Sequence, residues 1–69
     1  MIVTEEQKEL LSDKMENFDE IIKSDNVNDL LIPLNDLIFM IGMNQNYDLN
    51  EMGFKLQKVY DEIYDQNPD

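Results

Sequence analysis

The sequence predicts an all-α fold, a small antiparallel three-helix bundle over residues 1–69 that pairs into a homodimer. Three observations carry this expectation. Apolar residues recur at spacings of three and four in three successive stretches, the pattern of amphipathic helices. Two short polar segments rich in Asn and Asp separate those stretches, and short connections place neighbouring helices antiparallel. The chain has 69 residues and no Cys or His. Neither a disulfide nor a zinc site can then reinforce so small a core, and oligomerisation is the device that remains.

Helix 1 is expected over about residues 5–23. Thr4 and Gln7 fit a capping box, in which the Thr side chain caps and the Gln side chain reaches back. Leu10, Leu11, Met15, Phe18, Ile21 and Ile22 then form one stripe at about 100° per residue. Ser24-Asp25-Asn26 reads as a turn that supplies the next N-cap. Helix 2 is expected over about residues 27–43, with Val27, Leu30, Leu31, Leu34, Leu37, Ile38 and Ile41 as its core stripe. Pro33 either starts this helix or kinks it, and Gly42 suits its C-terminal end. Helix 3 is expected over about residues 49–65. Asp48 is its expected N-cap, Glu51 completes a capping box, and Tyr47 and Met52 occupy the positions of a hydrophobic staple. Leu49, Met52, Leu56, Val59 and Ile63 follow at helical spacing, with Tyr60 and Tyr64 beside them. Gly53 costs about 1 kcal/mol of helix propensity and reads as a point of close helix approach. Asn67-Pro68-Asp69 is expected to fray.

Several functions are disfavoured by residue chemistry. The stretch GMNQNYDLNEMG, residues 42–53, alternates Asn44, Asn46 and Asp48 as a calcium loop alternates its ligands. Counted from Asn44, however, the Gly, apolar and Glu positions of an EF-hand loop hold Leu49, Glu51 and Lys55. The stretch therefore reads as turn and cap chemistry, with no metal. Thr4, Ser12, Ser24 and the three Tyr have no imidazole base, and there is no Cys or Arg, so the chain reads as a non-enzyme without a cofactor. No stretch is apolar enough to span a bilayer. The start MIVTEEQKEL lacks the basic and apolar parts of a signal peptide, which points to a cytoplasmic protein without a membrane partner.

Charge and surface pattern suggest what remains. Sixteen Asp and Glu face five Lys, for a net charge of −11. The chain has no Ala or Trp but many Asn, Ile and Asp, the usage of an AT-rich genome, which should also have raised Lys. Depletion of Lys therefore points to selection against positive charge, and a basic partner suits such a chain while a nucleic acid does not. On a continuous helix 1, Glu5, Glu6, Glu9, Asp13, Glu16 and Glu20 share an arc of roughly 100° opposite the apolar stripe. Neighbours in that row stand about 5–6 Å apart, near the spacing of phosphates along a nucleic-acid strand. Asp61, Glu62 and Asp65 form a second patch. Helix 2 also carries a second apolar seam, Ile32, Phe39 and Met43 with Met40 nearby, and Phe54 falls on the polar face of helix 3. These five residues read as a dimer interface.

In size, charge, absence of Arg, codon usage and the carboxylate row Glu5 to Glu20, the chain resembles small acidic phage-encoded inhibitors that mimic DNA. The likeness covers bulk properties of the whole chain and no signature motif. It implies a protein that blocks the nucleic-acid-binding surface of a host nucleoid protein, sliding clamp, polymerase or nuclease in the host cytoplasm. The rival expectation is a small regulatory, immunity or antitoxin-type protein that binds its partner through the apolar residues Ile32, Phe39, Met43 and Phe54.

Overall fold

The computed structural model describes residues 1–68, and Asp69 lies outside the described residues. Four helices follow one another: α1 (Glu5–Ser12), α2 (Phe18–Ile21), α3 (Asn28–Ile41) and α4 (Glu51–Gln66). Among the described residues there is no strand, only an isolated antiparallel bridge between Met43 and Leu49. The fold is all-α, as the apolar spacing predicts.

Two glycines set the closed end of the α3–α4 hairpin. A Cβ built on Gly53 would lie 2.0 Å from the Gly42 carbonyl oxygen, and one built on Gly42 would lie 2.8 Å from the Gly53 Cα. The two backbones touch, which is the close approach that Gly53 suggests in the sequence. Gly42 ends α3 with φ −96°, in the right-handed region. Its missing side chain, not a special backbone conformation, is therefore what the position requires.

Polar groups of the loop hold that contact. The Asn44 Oδ1 accepts the backbone N–H of Asn46 and of Asp48 at 2.9 and 3.1 Å. The Asn50 N–H donates to the Gly42 carbonyl at 2.9 Å. The Asn50 Oδ1 accepts the Gly53 N–H at 2.8 Å, while its Nδ2 donates to the Ile41 carbonyl at 3.1 Å. Asn50, not Asp48, is therefore the N-cap of α4. Asp48 could offer α4 only an acceptor, whereas Asn50 ties the end of one helix to the start of the next. The expected capping box does not form, because with Asn50 as the cap the N3 position is Gly53, which has no side chain, and the staple does not form, because Tyr47 sits at φ 64° with its side chain in solvent.

Helix 1 also departs from expectation. It is broken after Ser12, and Asn17 takes the left-handed conformation with φ 59° before α2 begins. Asn accepts that region more readily than other non-glycine residues. Two effects favour the break. Carboxylates at i and i+4 along Glu5, Glu9 and Asp13, and again at Glu16 and Glu20, repel one another in a straight helix. A straight helix over residues 5–23 would also run about 28 Å and overhang α3, whose fourteen residues span about 21 Å. The bend folds the chain back, so that Phe18 is buried while Asp13 and Glu16 stay in solvent.

α3 begins where the Ser24-Asp25-Asn26 turn ends. Its N-cap residue Val27 offers no side-chain hydrogen bond, and the Asn26 Oδ1 accepts the Asn28 N–H at 3.0 Å instead. Pro33 neither starts nor stops the helix. It lies inside α3, where its missing N–H leaves the Asp29 carbonyl without a helical partner.

The resulting core joins Leu11, Met15 and Phe18 to Leu30, Leu31, Leu34 and Ile38 of α3 and to Leu56, Val59 and Ile63 of α4. All of these come from the expected stripes. At the far end, Asn67 does not fray. Its Nδ2 donates to the carbonyls of Ile2 and Ile63 at 2.9 and 2.8 Å. The buried Gln7 exchanges two amide hydrogen bonds with Gln66, at 2.9 and 3.0 Å. The capping box of Thr4 and Gln7 forms as expected.

Adding one methyl group at the glycine contact should force the hairpin apart. Gly53→Ala is expected to lose roughly 2–3 kcal/mol of stability in urea unfolding followed by circular dichroism. Asn50→Ala should lose about 1–2 kcal/mol and Asn50→Asp less, since Asp keeps the cap and loses only the bond to Ile41. Wild-type stability of Gly53→Ala would show that the crossing tolerates more space than the contact allows.

Candidate functional site

The acidic residues are all at the surface. Every Asp and Glu among residues 1–68, fifteen of the chain's sixteen, is exposed. Three of the fifteen have a Lys partner: Glu5 with Lys8 at 3.3 Å, Asp13 with Lys14 at 3.2 Å and Glu20 with Lys23 at 3.5 Å. Exposed pairs of this kind contribute little to stability, but each removes one net charge from the face.

The expected single row of six carboxylates does not exist. Glu5, Glu6 and Glu9 lie on α1, Asp13 is its C-cap, Glu16 lies in the bend and Glu20 belongs to α2. Glu6, Glu9 and Glu16 are the members with no ion pair among the described residues. The second patch is divided as well. Glu62 shares a groove of about 550 Å³ between α1 and α4 with Glu5 and Glu6. Asp65 lines a separate hollow beside Val27, Asn28 and Tyr64, and Asp61 accepts a hydrogen bond from Gln57 at 3.2 Å. The groove also holds Lys55 and Lys58. Sequence reading passes over these two lysines, because nothing local marks them as unpaired. Lys58 and Glu62 are one turn apart on α4 itself, and the packing of α4 against α1 brings both lysines beside Glu5 and Glu6.

Lys14 has a further role. Its Nζ donates to the Leu10 carbonyl at 2.9 Å, satisfying the end of α1. No group of three Asp or Glu among the described residues is placed to hold a metal ion, and the Asn44 side chain is committed to two loop N–H groups. No helix among those residues is long and apolar enough to cross a membrane.

The second surface is apolar. Ile32, Phe39, Met40 and Phe54 are 65, 60, 78 and 64% exposed. Met43 departs from the expectation for this group: it is half-buried and packs against the core. At 100° per residue, Ile32 and Phe39 project within about 40° of the direction opposite Leu30, Leu34 and Ile38. Phe54 projects opposite Leu56, Val59 and Ile63 in the same way. Ile32 and Phe39 therefore stand on the outer side of α3 and Phe54 on the outer side of α4, each directed away from the core. Met40 points to the flank, where a shallow groove holds Lys14, Met15, Pro33 and Leu37. The seam of five residues is thus divided: two on the outer side of α3, one on the outer side of α4, one on the flank and one in the core margin.

No family model matches this chain, and no significant match was found among curated proteins or solved structures. The fold and the surface just described stand on their own.

The three ion pairs should differ in weight. Lys14→Met loses the bond to the Leu10 carbonyl and is expected to cost about 1 kcal/mol. Lys23→Met loses only an exposed pair and should change stability by less than about 0.5 kcal/mol. Urea midpoints of the two variants check this order, and equal midpoints would remove the capping role of Lys14.

Proposed function

We propose that this chain is a non-catalytic inhibitor that binds the basic nucleic-acid-binding surface of a host protein, in the manner of the small phage-encoded DNA mimics it resembles. The observation that carries the reading is the display of charge. Net −11 resides on carboxylates of which every described one is exposed, and only three of these have a Lys partner. Nothing in the core requires this excess.

A DNA-binding groove is built to neutralise phosphates with Lys and Arg. Carboxylates held on a folded scaffold compete for the same cations without the entropy loss of ordering a flexible acidic tail. Glu6, Glu9 and Glu16 are the strongest contributors, because none of them has an ion pair among the described residues. Glu5 and Glu20 contribute once Lys8 and Lys23 swing away, Asp13 stays paired with the Lys14 that caps α1, and Glu62 extends the face across the groove. The break after Ser12 shapes the array. Instead of one straight row, the charges follow a bent path around α1, the bend and α2. The face is wider and shorter than a strand-like row, and suits a concave basic surface.

The test is capture of host proteins from lysate, with duplex DNA as competitor. Binding should fall at least about tenfold between roughly 50 and 500 mM NaCl. Duplex DNA should displace the captured protein. A variant with Glu6→Gln, Glu9→Gln and Glu16→Gln should keep its helical circular dichroism and lose most of the binding. Capture that resists both DNA and the triple substitution would overturn the reading.

A further inference from the structure

We propose, resting on the inhibitor reading above, that Lys55 and Lys58 in the α1–α4 groove receive a carboxylate of the partner. The partner is then an enzyme of nucleic-acid chemistry, with a metal-holding acidic centre inside its basic surface. The placement of the two lysines carries this.

Lys8, Lys14 and Lys23 each pair with a carboxylate nearby in sequence, at 3.2 to 3.5 Å. Lys55 and Lys58 have no ion pair among the described residues, although Glu5, Glu6 and Glu62 line the same groove of about 550 Å³. Order along α4 accounts for part of this. Lys58 precedes Glu62 by one turn, the weaker orientation for such a pair. At 100° per residue, Lys55, Lys58 and Glu62 fall within about 60° of one another, so one stripe of α4 presents both signs to the groove. Leu10, half-buried, and Val59, buried, lie between these charges. An ion pair made over that apolar floor loses water once a partner covers it, and is stronger than the exposed pairs elsewhere on the chain.

Charge complementarity then decides the occupant. A uniformly basic surface suits Glu5, Glu6 and Glu62 but is repelled by two free lysines among them. The complementary surface carries a carboxylate opposite the lysines and cations around it. Enzymes that cut or copy nucleic acid have that arrangement, because they hold Mg²⁺ on carboxylates where the phosphate reacts. Proteins that only wrap or encircle a duplex meet its phosphates with cations alone. DNA reaches an acidic centre of this kind through the bound metal. On this chain the ammonium groups of Lys55 and Lys58 stand in for the metal, and the carboxylates beside them stand in for the phosphate.

The sign of one substitution effect tests the proposal. Lys55→Met combined with Lys58→Met keeps the apolar stems at two exposed positions and makes the chain two charges more negative. An all-basic partner would bind this variant more tightly. The expected result is the reverse: the partner captured as above and then purified binds the variant at least about tenfold more weakly, with unchanged helical circular dichroism. Mg²⁺ is expected to weaken wild-type binding relative to EDTA at equal ionic strength, by filling the partner's acidic centre, and to affect the Met variant less. Equal or tighter binding by the variant overturns the proposal, as does equal wild-type binding in Mg²⁺ and EDTA. Either failure leaves the inhibitor reading intact. Absence of capture, or capture that resists duplex DNA and the substitutions at Glu6, Glu9 and Glu16, overturns that reading and this proposal with it.

Discussion

The contact between Gly42 and Gly53 organises the rest of the molecule. Two backbones can approach this closely only where neither residue has a side chain, so the crossing point of α3 and α4 is fixed to these two positions. Once it is fixed, the loop must close in seven residues between Gly42 and Asn50, and Asn44 and Asn50 supply the hydrogen bonds that close it. The rotation of each helix about its own axis follows. Leu30, Leu34 and Ile38 meet Leu56, Val59 and Ile63 in one core, and Ile32, Phe39 and Phe54 are left in solvent.

The first third of the chain answers a different pressure. Its apolar stripe and its carboxylates are both suited to a helix, but the helix they specify is too long for the hairpin it covers and carries like charges one turn apart. The break after Ser12 resolves both conflicts, and Asn17 is the residue whose conformational tolerance permits it. Lys14 closes the end of α1 that the break exposes. An element that reads as uniform in sequence is thereby divided by its neighbours. The acidic face becomes a bent array, and three of its six members meet a lysine.

The legible and illegible parts of the sequence differ in range. Helical spacing, the Thr4–Gln7 box, the turn at Ser24-Asp25-Asn26 and the reading of Gly53 depend on residues within a turn or two of one another, or on a space requirement that only glycine meets. These are legible in the sequence, except that the cap residue of α3 is Val27 and not a member of the turn. The cap of α4 is not legible in the sequence, because Asp48 and Asn50 are equally good local candidates. The choice between them lies with the Ile41 carbonyl, nine residues away. The order of Asn67 depends on Ile2, and the groove that joins Glu5, Glu6 and Glu62 with Lys55 and Lys58 depends on α1 meeting α4. Local pattern carries no record of such partners.

By itself the sequence determined that the protein is helical, where its apolar stripes lie and that its surface is strongly negative, because periodicity and net charge are properties of the chain alone. Only the tertiary structure decided which apolar residues are interior and which are left in solvent. It alone broke the carboxylate row and chose Asn50 as a cap. In each case the deciding term is a contact between segments distant in sequence, made possible by the approach of α3 and α4 at two glycines.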